Sequence, residues 1–213
     1  MSIRLPEPPL LVVTDRAQAR RPLAEIVAMA VAAGCRWLSL REKDLPEDEQ
    51  VPLFRMLQPI TRRGNARLLL HGEAELAGRA GADGVHLPSG SDTAAARALL
   101  GAGKLVGVSI HTVIEATAID PQAVDYVLAG PAYETPSKPG YGPEIGRKGL
   151  AEIARASPVP VLAIGGINSA RVGEAIAAGC AGVAVMGGVM RAADPAREVG
   201  ALIATLTGYP RPR

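Results

Sequence analysis

The chain has 213 residues, 48% hydrophobic and 21% charged, and its 23 basic and 21 acidic side chains leave a net charge of +2. Disordered and coiled-coil compositions are excluded, and the even spread of charge offers no cationic surface for nucleic acid. No stretch reaches the ~20 uninterrupted apolar residues of a membrane span, and the amino end has no apolar leader, so a cytoplasmic protein without membrane partners is expected.

Taken in chain order, short apolar runs alternate with longer stretches rich in Ala, Leu, Ile and Arg. A strand at 10–13 is followed by a helix at 23–33, then strand 37–40 by helix 47–63, and strand 67–70 by helix 73–80. The pattern continues with strand 84–87 and helix 93–100, strand 105–109 and helix 113–119, and strand 126–129 and helix 147–156. It closes with strand 161–164 and helix 170–178, and strand 182–186 and helix 196–206. Each strand has the length of a buried parallel strand, and glycines suited to a left-handed cap follow Ala33, Ala80 and Ala178. Strand then helix, eight times, without a linker or low-complexity break, predicts an α/β protein: a single (β/α)8 TIM barrel, with residues 1–213 as one domain. A doubly wound open sheet would carry a glycine loop after its first strand, but here that strand ends in Thr14-Asp15-Arg16. Cys35 and Cys180, each between small or apolar residues, read as buried reduced thiols.

A barrel of this kind builds its site from the loops that follow the strands. After strand two, Arg41 and Lys43 alternate and point to one side, toward a ligand, while Glu42 faces the other way; two cations on one rim suggest an anionic substrate, with a solvated rim pair as the other reading. After strands seven and eight, Gly165-Gly166 and Gly187-Gly188 let main-chain N–H groups approach a phosphate ahead of a helix start, although tight turns alone would also use them. The long loop after strand six carries Thr135, Ser137 and Lys138 and reads as a lid over a bound anion, or as a proline-stiffened surface loop. Of the three histidines, His71 stands at the mouth, where acid–base work would be placed, and His86 reads as barrel-lining; His111 is left open.

The joint order of several motifs resembles one family. Arg41-Glu42-Lys43, Ala82-Asp83-Gly84-Val85-His86-Leu87, Gly107-Val108-Ser109-Ile110-His111-Thr112, Gly130-Pro131-Ala132-Tyr133-Glu134-Thr135-Pro136-Ser137-Lys138 and Ala163-Ile164-Gly165-Gly166-Ile167 are similar to segments of the thiamine phosphate synthases and their TenI relatives. The resemblance implies a synthase that joins an aminopyrimidine diphosphate to a thiazole phosphate with Mg²⁺, held by aspartates after strands three and four. At those positions this chain has Gly72, which offers no ligand, and Asp92. Gly72 and Leu87-Pro88-Ser89-Gly90-Ser91 resemble the TenI branch instead, whose thiazole tautomerases need no metal. Pro131 departs from that branch: it stands where tautomerases carry a catalytic histidine, and it is the residue the synthases favour.

The expectation is therefore a TenI-type tautomerase acting on thiazole carboxylate phosphate without a cofactor. His71 is its acid–base group, with Glu134 behind it. Arg41 and Lys43 hold the carboxylate, Ser109 and Thr135 hydrogen-bond the ring, and Gly165, Gly166, Met186 and Gly187 present backbone to the phosphate. The first alternative is a thiamine phosphate synthase, with Asp92 on Mg²⁺ and Lys138 and Arg41 on pyrophosphate; the second is a non-catalytic thiazole-phosphate binder. Relatives of this kind are often homo-oligomers.

Overall fold

A computed structural model describes residues 4–135 and 144–209. Eight parallel strands close on themselves in sequence order: β1 (Leu10–Val13), β2 (Trp37–Leu40), β3 (Arg67–His71), β4 (Gly84–Leu87), β5 (Leu105–Ile110), β6 (Tyr126–Ala129), β7 (Val161–Ile164) and β8 (Gly182–Val185). Around them run α1 (Leu23–Ala32), α2 (Glu47–Arg63), α3 (Ala74–Ala80), α4 (Thr93–Leu100), α5 (Val113–Thr117), α6 (Gly146–Ala156), α7 (Ser169–Ala177), α8 (Gly187–Met190) and α9 (Pro195–Thr207). This is the (β/α)8 barrel that the repeating pattern predicts.

The strands are apolar on both faces because both are covered. Leu10, Val12, Leu38, Leu40, Leu68 and Leu70 pack with helix residues such as Ile26, Phe54 and Leu57. The alternate positions, including Leu11, Trp37, Leu69, Leu105, Tyr126 and Leu162, fill the barrel interior. Large and small residues are matched there. A Cβ on Gly107 would lie 2.1 Å from Tyr126 Cζ, so glycine makes the room in which the Tyr126 ring meets Trp37 edge-on, with centroids 4.7 Å apart.

The helix starts are capped as their sequences imply: Asp92, Thr112, Asn168 and Asp194 each accept a hydrogen bond from the backbone N–H three residues on. Helix ends shift by one or two residues, α5 stopping at Thr117 rather than 119, and the strands differ from the expected ones at the mouth. β3 runs on to His71 and β5 to Ile110, whereas β8 stops at Val185. Met186, at φ −133 and ψ −85, leaves the strand and caps the short helix α8, which the sequence reading took for a loop. Both cysteines are free and buried, and burial pushes the thiols up to about 11 at Cys35 and about 12 at Cys180, so neither is a nucleophile. Among the described residues no helix is long and apolar enough to cross a membrane.

Candidate active site

A cavity of about 520 Å³ opens at the carboxyl ends of the strands. Arg41, Lys43, His71, Ser109, Glu134, Thr135, Gly165, Gly166, Met186 and Gly187 all line it. Ser137 and Lys138 lie outside the described residues. Asp92 is exposed and does not line the cavity; its carboxylate accepts the Ala95 N–H at 2.9 Å and caps α4.

The two cations are set by a buried acid. Glu42 accepts hydrogen bonds from the Thr14 hydroxyl at 2.6 Å and the Arg16 N–H at 2.8 Å, while Arg41 N–H donates to Thr14 at 2.9 Å. Turning Glu42 away from the cavity fixes the end of β2 to the end of β1 and sends its neighbours Arg41 and Lys43 to the cavity wall. Burial holds the Glu42 carboxyl above its ordinary value, against the lowering effect of Thr14 and Arg16. Arg41 Nη1 is 3.9 Å from Met186 Sδ, which puts the guanidinium beside the end of β8. Burial, and then the charge on Arg41, hold the Lys43 ammonium below its ordinary value, so an anion placed between the pair would relieve their repulsion.

The opposite kind of surface, bare main chain, comes from β7 and β8. Gly165 and Gly166 turn at φ +99 and +64, and a Cβ on Gly166 would lie 2.5 Å from the Glu134 carbonyl oxygen. The loop after β6 packs directly on them: Ala132 N–H donates to Ile164 at 2.7 Å and Tyr133 N–H to Gly165 at 3.1 Å. Arg171 locks the turn by donating to the Gly166 carbonyl at 3.0 Å, and its guanidinium lies 4.5 Å over the Tyr133 ring. Gly187 opens α8 at the same wall, and Arg191, just past that helix, lines it too while donating to the Gln18 side chain. Sequence reasoning missed Arg171 and Arg191 because it collected residues at strand ends. Both lie beyond the βα loops, where arginine carries no positional signal.

The histidines divide as their burial dictates. His86 is fully buried below the cavity, and burial, with a smaller push from Lys43, takes it down to about 3, so the ring is neutral. The His71 ring lies above it, with centroids 4.7 Å apart. His111 lines the cavity with Nδ1 2.5 Å from the Gly130 carbonyl oxygen; a carbonyl only accepts, so this nitrogen carries a proton. Nearby, burial pushes the Glu115 carboxyl up, but hydrogen bonds from Ser89, His111 N–H and Thr112 outweigh it and leave the group below its ordinary range.

The carboxylates do not suit a hard divalent cation. Gly72 occupies the position after β3 where an aspartate was implied, Asp92 caps α4 away from the cavity, and Glu42 is committed to Thr14 and Arg16. Glu134 is the one carboxylate-bearing residue lining the cavity among the described residues, and no group of three or more metal-ligating side chains occurs among them.

Fold and cavity define the class: a (β/α)8 barrel whose strand ends present a cationic wall and a glycine-lined wall to one ligand space. The sequence profile of the thiamine monophosphate synthase family matches residues 10–189, and the chain belongs to that family. A Geobacter sulfurreducens protein provisionally named a thiamine-phosphate synthase is 44% identical over 92% of this chain and 93% of its own length. A thiamine-phosphate synthase of Roseiflexus sp. strain RS-1 is 41% identical over 92% of this chain and 84% of its own. Among solved structures, the thiamine phosphate pyrophosphorylase of Pyrococcus furiosus superposes with a TM-score of 0.82 at 28% identity, covering 93% of this chain and 95% of that one.

These names correct one expectation. The TenI-type tautomerase reading, with an isomerase activity, is overturned, because relatives at this level of identity and coverage carry the name of the synthase, a transferase. The superfamily stands; the branch inferred from Gly72 and the segment 87–91 does not.

Proposed function

We propose that this chain forms thiamine phosphate by joining an aminopyrimidine diphosphate to a thiazole phosphate. The carbon–oxygen bond from the pyrimidine methylene to the diphosphate breaks, the bonding pair leaves with pyrophosphate, and the thiazole nitrogen supplies the pair for the new carbon–nitrogen bond. The observation that carries this reading is the presence of two anion-receptive features in one cavity of about 520 Å³: the Arg41 and Lys43 cations after β2, and the glycine main chain after β7 and β8. Two phosphorylated substrates need two such features.

Arg41 and Lys43 take the diphosphate, where their positive charge stabilises the negative charge that grows on the leaving group. Gly165, Gly166, Gly187 and the Met186 backbone receive the thiazole phosphate through N–H groups. Ser109 and Thr135 hydrogen-bond the rings, and closure of the barrel floor keeps water from the electron-poor methylene. Ser137 and Lys138 follow Thr135 in the sequence, outside the described residues, and Lys138 would add a third cation to the diphosphate. A substitution at carbon moves no proton between carbons, so the acid–base duty expected of His71 and Glu134 falls with the tautomerase; both remain wall residues. Magnesium, implied by the family resemblance, finds a poor donor set among the described residues.

The test is the dependence of pyrophosphate release on both substrates. Release from the purified chain should require the pair, and release from the aminopyrimidine diphosphate alone at the same rate would make the protein a diphosphate hydrolase instead.

A further inference from the structure

A hydrogen-bonded line runs from the cavity into the barrel. Ser109 lines the cavity on β5; its Oγ is 3.0 Å from His86 Nε2, and His86 Nδ1 is 3.1 Å from the Tyr126 hydroxyl on β6. His86 and Tyr126 are fully buried, and among the described residues these are the hydrogen bonds that their polar side-chain atoms make. A neutral imidazole has one N–H and one lone pair, so the line admits two arrangements.

In one arrangement, the Tyr126 hydroxyl donates to Nδ1 and the Nε2 proton is donated to Ser109. Both buried donors of the line are then used, and the Ser109 proton must point elsewhere, which is into the cavity that Ser109 lines. In the other, Ser109 donates to Nε2 and the Nδ1 proton is donated to Tyr126. The phenol proton is then left without an acceptor, among Trp37, Leu105 and the other apolar side chains of the barrel interior. A buried donor without an acceptor is the more costly error. Burial holds the ring neutral, so a doubly protonated His86 does not compete.

We propose that Tyr126 and His86 are positioning residues that fix the Ser109 hydroxyl as a hydrogen-bond donor into the cavity, toward a lone-pair acceptor of the bound substrate. Ser109 stands on β5, two strands round the closed barrel from β7 and three from β8, with β6 between it and the glycine wall, so its acceptor is a heterocycle nitrogen rather than the phosphate at that wall. The identity of that acceptor rests on the synthase reading. The direction of the proton does not.

Ring nitrogen-15 NMR of the full chain reads the tautomer directly, with the three histidines assigned by the signals lost in His71→Gln and His111→Gln. His86 should carry its proton on Nε2; a proton on Nδ1 overturns the proposal. The kinetic arm is a double-mutant cycle. Tyr126→Phe keeps the ring against Trp37 and should lower kcat roughly three- to tenfold, the scale of one hydrogen bond. In a Ser109→Ala background it should change little, and an equal loss in both backgrounds would mean that Tyr126 acts only on packing. If the substrate pair is not turned over at all, the synthase reading fails while the tautomer still decides the line.

Discussion

At Gly166 the backbone turns at φ +64, and the space a side chain would need is taken by the Glu134 carbonyl and Tyr133 Cβ, at 2.5 and 2.8 Å. Gly166→Ala is expected to cost ~1–3 kcal/mol, as a strained left-handed residue that also displaces its neighbour. It should also raise the KM for thiazole phosphate more than that for the aminopyrimidine diphosphate. Urea unfolding and steady-state kinetics measure the two effects, and an unchanged KM ratio would remove the phosphate from this wall. His86 gives a pH signature. Folded, it stays neutral down to about 3, whereas in the unfolded chain it protonates near its ordinary 6.5. Between those values the unfolded state binds the extra proton, so the stability present above 6.5 is lost progressively as pH falls toward 3. The urea midpoint should drop between about pH 7 and pH 5, and drop less steeply in His86→Gln. Single residues were unevenly legible. Arg41 and Lys43 could be placed because strand alternation fixes their side, and His86 because a strand centre is buried. Arg171 could not be placed, because its contact with Gly166 depends on how α7 leaves its loop.

Among elements, the joint between β1 and β2 depends on Glu42, whose carboxylate takes the Thr14 hydroxyl and the Arg16 N–H. Glu42→Ala would strand the buried Thr14 hydroxyl and take the acceptor from the half-buried Arg16 N–H, and a loss of about 1–3 kcal/mol is expected. Arg41 would also lose the fixed Thr14 that holds its backbone, so the KM for the diphosphate substrate should rise. Thermal unfolding and kinetics on the variant test both, and a loss of stability without a change in KM would confine Glu42 to the fold. Strand centres were readable because both faces are buried and the apolar run is continuous. The ends at the mouth were less so. α8 is opened by Gly187 and Gly188, residues of poor helix propensity, and it forms because Met186 turns the chain out of β8 and the Val189 N–H reaches back to the Met186 carbonyl at 3.1 Å. That bond belongs to the turn and has no mark in the sequence.

At the scale of the molecule, eight strand–helix units specify the barrel, and the barrel specifies where chemistry can occur. The choice of reaction was the weaker part, and two residues show why. Gly72, as a lost metal ligand, favours the tautomerase, while Pro131, the residue that the family resemblance assigns to the synthases, favours the transferase; the names of the relatives agree with the second. A missing ligand says which donor is gone without saying what replaces it. The central claim is that this cavity joins two phosphorylated substrates. The direct measurement is chromatographic quantification of both products after incubating the purified chain with aminopyrimidine diphosphate and thiazole phosphate, with magnesium and with excess chelator in parallel. Equal amounts of thiamine phosphate and pyrophosphate, lost together in Arg41→Ala, are expected; no thiamine phosphate in either condition would contradict it.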